Sequence, residues 1–526
     1  MLRFAAAVYQ GTCYSFAMST SDHAKRILIL GGGTAGWMAA NLMIKAWGGR
    51  GFEITLVESP DIGIIGVGEG STPMLKTFMS SIGLEERDWM PACNATYKLG
   101  IRFDNWSTMP GFPRYFHPFP AQLDDLTSPP FFENSMARRN GLDVEGHPDH
   151  FFLNTYMAQQ KLSPFAGENF PFTTLYGYHF DSGLLGEFLG DLARKRGVKH
   201  LQAKITDATQ DDSGNVTALI DDGGRTLEAD YFIDCTGFRS MLLQETLGVP
   251  FLPFADNLFN DAAVVFATPR PVEVAPQTVS TALKNGWAWT IPLTSRIGNG
   301  YVYSSAYTSA DAAERELRAF AGIGDDVHVD ARHLNMKVGR VAEHWKGNVL
   351  AVGLSQGFIE PLEATALLLV QLTIQGFIKA LDQGNFGDSR RDVFNDDISA
   401  RFDAVRDYIV AHYVVNSRTD SNYWQDNANN NKVSQSLFDV ISTWTSGKDL
   451  TEELKRQNIE HFYPTMSWHC LLAGYGIYPA KAGLQTRDAE LHQGKLAEIH
   501  EFIRRCSLNY APHMEVLKAQ ADGMAA

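Results

Sequence analysis

Hydrophobic residues in this chain follow two rhythms. Near the N-terminus Lys25 to Leu30 (KRILIL) is short and continuously apolar, the pattern of a strand covered on both faces, and Phe52 to Val57 repeats it. The stretch between them opens on glycines and is rich in alanine and methionine, which predicts a helix. Asp230 to Gly237 (DYFIDCTG) predicts another strand that runs into a turn. In Gly286 to Pro292 (GWAWTIP) the period is two, so Trp287 and Trp289 project from one face of a strand as an aromatic wall or as a pair of core aromatics. Thr365 to Leu381 predicts a buried helix and Arg390 to Val414 an amphipathic one. Trp106 to Pro171, dense in proline, phenylalanine and glycine, predicts long loops with short elements, and Asp426 to Lys432 (DNANNNK) a polar loop between C-terminal helices. The order of elements indicates an α/β fold.

The first two strands frame a glycine fingerprint. Gly31 to Gly36 (GGGTAG) is Gly-x-Gly-x-x-Gly, placed directly after a strand and at the opening of a helix. There Gly31 permits the tight turn, Gly33 lets the backbone approach a pyrophosphate, and Gly36 lets helix and strand pack closely. Thr34 and Ala35 complete the loop at a helix N-terminus, whose free amides and positive dipole end suit an anion. Glu58, 22 residues past Gly36, is placed for a ribose hydroxyl. The fingerprint does not choose between FAD and NAD; Asp230 to Gly237 resembles the strand that in flavoproteins returns to the same sheet and approaches the dinucleotide, and no second fingerprint offers a separate nicotinamide site, so FAD is the expected cofactor, with electrons supplied from elsewhere.

Composition narrows the partners. A chain of 526 residues with 44% hydrophobic and 20% charged content suits a large core, and a net charge of -15 argues against nucleic acid or an anionic membrane. No run approaches the roughly 20 apolar residues of a membrane helix. Cys13, Cys93, Cys235, Cys470 and Cys506 are scattered and lack a Cys-x-x-Cys pair, so reduced thiols and a cytoplasmic location are expected. His147 and His150 in HPDH are the nearest approach to a metal cluster, but the surrounding prolines and glycines favour a surface loop, and no metal is expected. Residues 1–17 read as a disordered tail or an over-extended start, because Met18 begins a natural-looking MSTSDHAKRILIL. The remainder, 18–526, is expected to form one unit, with an FAD-binding core mainly in 24–105 and 176–385 and a substrate region mainly in 106–175 and 386–526.

Six ordered motifs carry a family resemblance over nearly the whole chain from Lys25 onward. They are GGGTAGWMAA at Gly31 to Ala40, GVGEGSTP at Gly66 to Pro73, CNATYK at Cys93 to Lys98, GWAWTIP, GYVYSS at Gly300 to Ser305, and FIEPLEAT at Phe358 to Thr365. On these residues the chain resembles the flavin-dependent tryptophan halogenases. The resemblance implies a monooxygenase-like fold with a Rossmann-type FAD-binding body and a mainly helical substrate subdomain stacked on it. It also implies a two-component reaction. A separate flavin reductase supplies FADH2, which with O2 oxidises chloride or bromide to hypohalous acid, and that electrophile halogenates an enclosed aromatic ring.

Residue roles follow from the same resemblance. Lys98, otherwise a plausible solvated strand end, matches the family's essential lysine. An amine there can hydrogen-bond hypohalous acid or form a haloamine with it, and the second route needs the neutral base, hence a pKa lowered from about 10.4. Glu363 matches the family's carboxylate that stabilises and deprotonates the cationic ring intermediate; Glu360 competes on spacing alone, and either could instead serve a helix N-terminus. Halide is expected on the amides of Thr365 and Ala366, in an Ala-Thr-Ala sequence where the family commonly has Ser-Thr-Gly. Asp61 to Pro73 matches the strap between the flavin and lysine sites, and Ile205 and Leu354 fall where the family touches FAD. The indoles of Trp287 and Trp289 would separate substrate from flavin, which disfavours a flavin-dependent aromatic hydroxylase, as does Leu354 after Gly353 in place of Asp. Lys98 and Glu363 likewise disfavour a non-catalytic flavin-binding protein.

His117 and Phe119 stand where the family lines its indole pocket. The far end departs, with Trp468 and His469 in place of a tyrosine pair before CLLAG, and the preceding segment shortened to HFYPTMS. Indole or a substituted indole lacking the amino acid group is therefore the expected substrate, with free tryptophan as the alternative; His469 is alternatively an ordinary satisfied histidine. A monomer or homodimer is expected.

Overall fold

The computed structural model describes residues 25–523 apart from 62, 64–67, 325, 481–482 and 487–488. The expected N-terminal tail and part of the 61–73 strap lie outside the described residues. The run KRILIL forms the strand Lys25–Leu30 inside a six-stranded sheet, flanked in parallel by Phe52–Glu58 and Tyr231–Asp234. Its unbroken apolar character has a direct cause. Ile27 and Ile29 face the main core with the helix Thr34–Trp47, while Leu28 and Leu30 face a second core with Val57, Ile205 and Leu219. Each side chain is buried on whichever face it meets.

A second sheet of seven strands carries the tryptophan motif. Gly286–Pro292 lies between Thr278–Leu283 and Ile297–Tyr303, and beyond the former come Gly100–Asp104 and Arg114–Pro118. A third, three-stranded sheet joins Gly68–Gly70, Gly177–Asp181 and Thr96–Lys98. The chain passes from this small sheet into the seven-stranded one through Leu99, whose backbone is satisfied by Pro276 and Phe119. Lys98 therefore sits at the seam between two sheets.

The expected helices form as Ala366–Gln383 and Arg391–Val414. The region expected to be loops contains a full helix, Asp124–Arg139, despite Pro129 and Pro130 inside it. Those prolines lack the donors that would bond the carbonyls of Asp125 and Leu126, but both residues are exposed, so water can replace the lost bonds. The polar segment from Asp426 is also partly helical, since Asn422–Ala428 extends into it before the chain loosens. In HPDH, His147 is buried and its ring accepts from the Asp149 amide as a cap of Pro148–His150, which corrects the expected surface loop.

Among the described residues Cys93, Cys235, Cys470 and Cys506 are free thiols, and no helix is long and apolar enough to cross a membrane.

Candidate active site

The glycine loop has the steric signature of a dinucleotide cradle. Gly31 adopts φ +117°, and a Cβ there would lie 2.2 Å from the Cys235 carbonyl oxygen; one at Gly36 would lie 2.0 Å from the Gly31 oxygen. Only glycine fits either position. At Gly33 a Cβ would meet nothing within 4 Å, so the backbone is open where a pyrophosphate would approach. The helix that follows has no side-chain cap, leaving its first amides free, with Thr34 and Ala35 in the first turn. Glu58 reaches over Gly32 and is held by His200 Nε2 at 2.7 Å. Leu354 lies in the turn Gly353–Ser355, where a Cβ on Gly353 would come 2.8 Å from Ala35. Ile205 is buried on the other face of the sheet, among Leu30 and Val57 near the strand ends. Open loop, free amides and adjacent acid together fit a dinucleotide, FAD among them.

The two indoles share a face as expected, with ring centroids 5.9 Å apart and planes tilted by 52°. Trp289 stands opposite Gly300 in the neighbouring strand, where a Cβ would be 2.0 Å from the indole. The missing side chain is what lets the ring lie across the sheet. Trp287 donates its indole N–H to Glu360 Oε2 at 2.7 Å, and the same oxygen accepts from Asn260 at 2.9 Å and Tyr413 at 2.5 Å. Glu360 is thus committed to fastening the wall, which separates the two acids that spacing left equivalent.

Glu363 ends the short turn Pro361–Glu363 and faces a different company. Its Oε1 stands 3.0 Å from His412 Nε2, and His412 Nδ1 is 2.7 Å from the Tyr475 hydroxyl. Burial alone would raise its carboxyl, but His412, His117 and Lys98 together outweigh burial and hold it below the usual carboxylate value. Lys98 is fully buried, its Nζ has no hydrogen-bond partner among the described residues, and the Phe119 ring centroid lies 5.6 Å away. Burial lowers its amine to about 7 against the pull of Glu363. Other buried polar atoms without a partner gather around this pair: His117 Nδ1, the Tyr115 and Tyr463 hydroxyls, and Trp468 Nε1. Stranding so many polar groups in a folded interior is costly unless a ligand completes them.

Thr365 caps the helix Ala366–Gln383 without a side-chain bond, so the first-turn amides, those of Thr365 and Ala366 included, lack intrahelical acceptors. Ala364, just before, is held at φ +55°, a left-handed conformation that a non-glycine residue adopts at a cost of about 1–2 kcal/mol. That backbone turns the acid-bearing segment sharply into the helix.

The aromatic end of the site brings together residues from three segments. Tyr408 stacks on Tyr463 at 3.7 Å, meets Trp468 edge-on at 4.8 Å and His117 at 6.3 Å. His469 is turned away. Its ring lies 4.7 Å from Phe132 and 5.4 Å from Trp444, and burial with the nearby Arg139 pushes its imidazole down to about 3. Consecutive helical residues point about 100° apart, so His469 faces Phe132 and Trp444 while Trp468 faces Tyr408. Sequence reasoning missed Tyr408, His412 and Tyr463. The first two are four apart on the amphipathic helix and hence on one face, a signal that was there to be read.

The chain is similar to known proteins over most of its length. The family model for tryptophan halogenase matches residues 26–489. A 7-chloro-L-tryptophan 6-halogenase of Kutzneria sp. is 35% identical over 517 residues, covering 93% of this chain and 98% of that protein. The crystal structure of a tryptophan 6-halogenase from Streptomyces toxytricini is similar at TM-score 0.80 and 34% identity, covering 94% of this chain and 100% of that one. A flavin-dependent halogenase from Brevundimonas sp. BAL3 is similar at TM-score 0.82 and 32% identity, covering 95% and 100%.

The contact between Trp289 and Gly300 yields a direct check. Gly300→Ala should destabilise the protein by about 1–3 kcal/mol through overpacking, read as a lower urea midpoint with an unchanged slope. An unchanged midpoint would mean the indole is free to move aside.

Proposed function

The chain belongs to the tryptophan halogenase family, and on that premise we propose that it halogenates indole or a substituted indole with Lys98 and Glu363 as its catalytic pair. It is a flavin-dependent halogenase with a Rossmann-type FAD-binding fold, an enzyme that uses reduced FAD, halide and O2. The observation that carries the residue assignment is the partnerless, fully buried Lys98 amine in an aromatic enclosure shared with Glu363.

Gly31, Gly33, Thr34, Ala35, Gly36 and Glu58 would hold the dinucleotide, with Leu354 and Ile205 along its course. Bound and reduced, FAD supplies with O2 the oxidising power that turns halide into hypohalous acid. A separate flavin reductase would provide the FADH2. The first-turn amides at Thr365 and Ala366 would bind the halide. Trp287 and Trp289 keep the organic ring from the flavin, so a small oxidant must travel to the substrate. Lys98 receives it. At about 7 the amine is divided between ammonium, which can hydrogen-bond hypohalous acid, and free base, which can attack it. Glu363, kept ionised, faces the cationic ring intermediate and takes the displaced ring proton. His412 supports that ionisation.

His117, Phe119 and Trp468 would line the ring-binding end, together with Tyr408 and Tyr463. What they offer is apolar faces and neutral hydrogen-bonding groups. Such a lining suits a flat aromatic guest and itself offers no charged partner to the ammonium and carboxylate of a zwitterion.

Three outcomes follow. Purified protein with FAD, a flavin reductase, NADH, bromide and indole should yield brominated indole, while Lys98→Ala should lower product at least about a hundredfold and leave flavin oxidation by O2 intact; loss of flavin binding in that variant would make Lys98 structural. If free amine is the working form, the rate should fall about tenfold per pH unit below about 7; if ammonium is, the fall should come on the alkaline side, and a flat profile through that range would exclude both. In direct competition, kcat/KM for indole should exceed that for tryptophan by at least about tenfold, and a preference for tryptophan would refute the substrate assignment.

A further inference from the structure

Beneath the Lys98 amine three strands meet around one buried imidazole. His179, fully buried, stands in register between Thr96 on one neighbouring strand and Gly70 on the other. Its Nδ1 is 3.0 Å from Thr96 Oγ1 and its Nε2 is 2.9 Å from Thr278 Oγ1. Thr96 donates its own hydroxyl proton to the carbonyl of Pro292, 2.7 Å away at the end of the tryptophan strand. Thr96 Oγ1 must therefore accept from the ring, which places the imidazole proton on Nδ1 and leaves Nε2 to accept from Thr278. The network is closed with the ring uncharged.

Lys98 follows Thr96 by two and shares its face of the strand. A Cβ on Gly70 would lie 3.2 Å from Lys98 Nζ, 3.4 Å from Thr278 Oγ1 and 3.6 Å from His179 Cδ2, so amine, hydroxyl and ring edge front the same small space. We propose that His179 is a positioning residue for Lys98: clamped between Thr96 and Thr278, its uncharged ring fills the floor under the amine and keeps water out of it. The inference rests on Lys98 as the working amine.

The groups that face the amine are Glu363 from its turn, His117 from the strand Arg114–Pro118 and His179 from below, and His179 is itself coupled to His513 behind it. Burial is the largest influence on Lys98, and Glu363 alone of these opposes it. Removing the ring would leave a cavity lined by two hydroxyls, polar and roomy enough for water. Water there would hydrate the ammonium and move its titration upward. His179→Gln would retain one donor and one acceptor and should keep the floor closed.

The test is the titration of Lys98 itself, followed by NMR on isotope-labelled lysine and assigned by the signal lost in Lys98→Met. We expect His179→Ala to move it upward by about one pH unit or more, leaving the free amine about tenfold scarcer at a given pH below it. His179→Gln should stay near wild type, and Thr278→Val should move in the same direction by less. An unchanged Lys98 titration in His179→Ala and Thr278→Val overturns the inference; if His179→Ala does not fold, Thr278→Val alone decides. Because the measurement needs no turnover, wild-type protein that gave no halogenated product while Lys98 still shifted would count against the catalytic reading and leave the role of His179 standing.

Discussion

The geometry of this site hangs on one buried carboxylate. Glu360 Oε2 receives Trp287 from the seven-stranded sheet, Asn260 from the segment leading into it and Tyr413 from the long helix Arg391–Val414. Hydrogen bonds to a charged group contribute about 1.5–3 kcal/mol each, and losing the acceptor would strand three buried donors at once. Burial pushes the Glu360 carboxyl up while these donors pull it down. Because Tyr413 and His412 are neighbours on the helix, fastening the first acid also sets where the second falls: three residues on, Glu363 meets His412 on another side of the same helix. The tryptophan pair and Glu363 are therefore positioned by a single turn.

Burial and charge divide the labour between Lys98 and Glu363. The amine is held low by burial and, among the described residues, has no close ion-pair partner; a salt bridge would lock it as ammonium. The carboxylate is kept ionised against the same burial by imidazoles on two sides. A direct contact between the two would satisfy both and disable both. Holding them within electrostatic reach yet unpaired costs stability.

What was legible beforehand, and what was not, follows the range of the physics involved. The strand, turn and helix around Gly31 to Gly36 depend on local sterics and could be read directly, as could the shared face of Trp287 and Trp289. Choosing Glu363 over Glu360 needed motif similarity, because two acids three apart differ only in partners that arrive from Asn260, Tyr413 and His412, more than 45 residues away in sequence. His179 gave no signal of its own, since its significance lies in two threonines that sheet assembly brings to it. That His469 faces Phe132 and Trp444 while Trp468 faces Tyr408 was likewise hidden, because sequence adjacency does not say which side of a helix each residue takes. The helix through Pro129 and Pro130 was hidden by a rule about donors that solvent exposure relaxes.

Gly300 carries a wider implication. The indole of Trp289 rests where a neighbouring strand has no side chain, so the seat of that ring is set by the sheet and not by any chemical group. A single added methyl there would displace a ring that lies against Trp287, and Trp287 is the donor that ties the sheet to Glu360. The smallest side chain in the sheet thus governs how the largest ones stand, several residues away from any acid or amine.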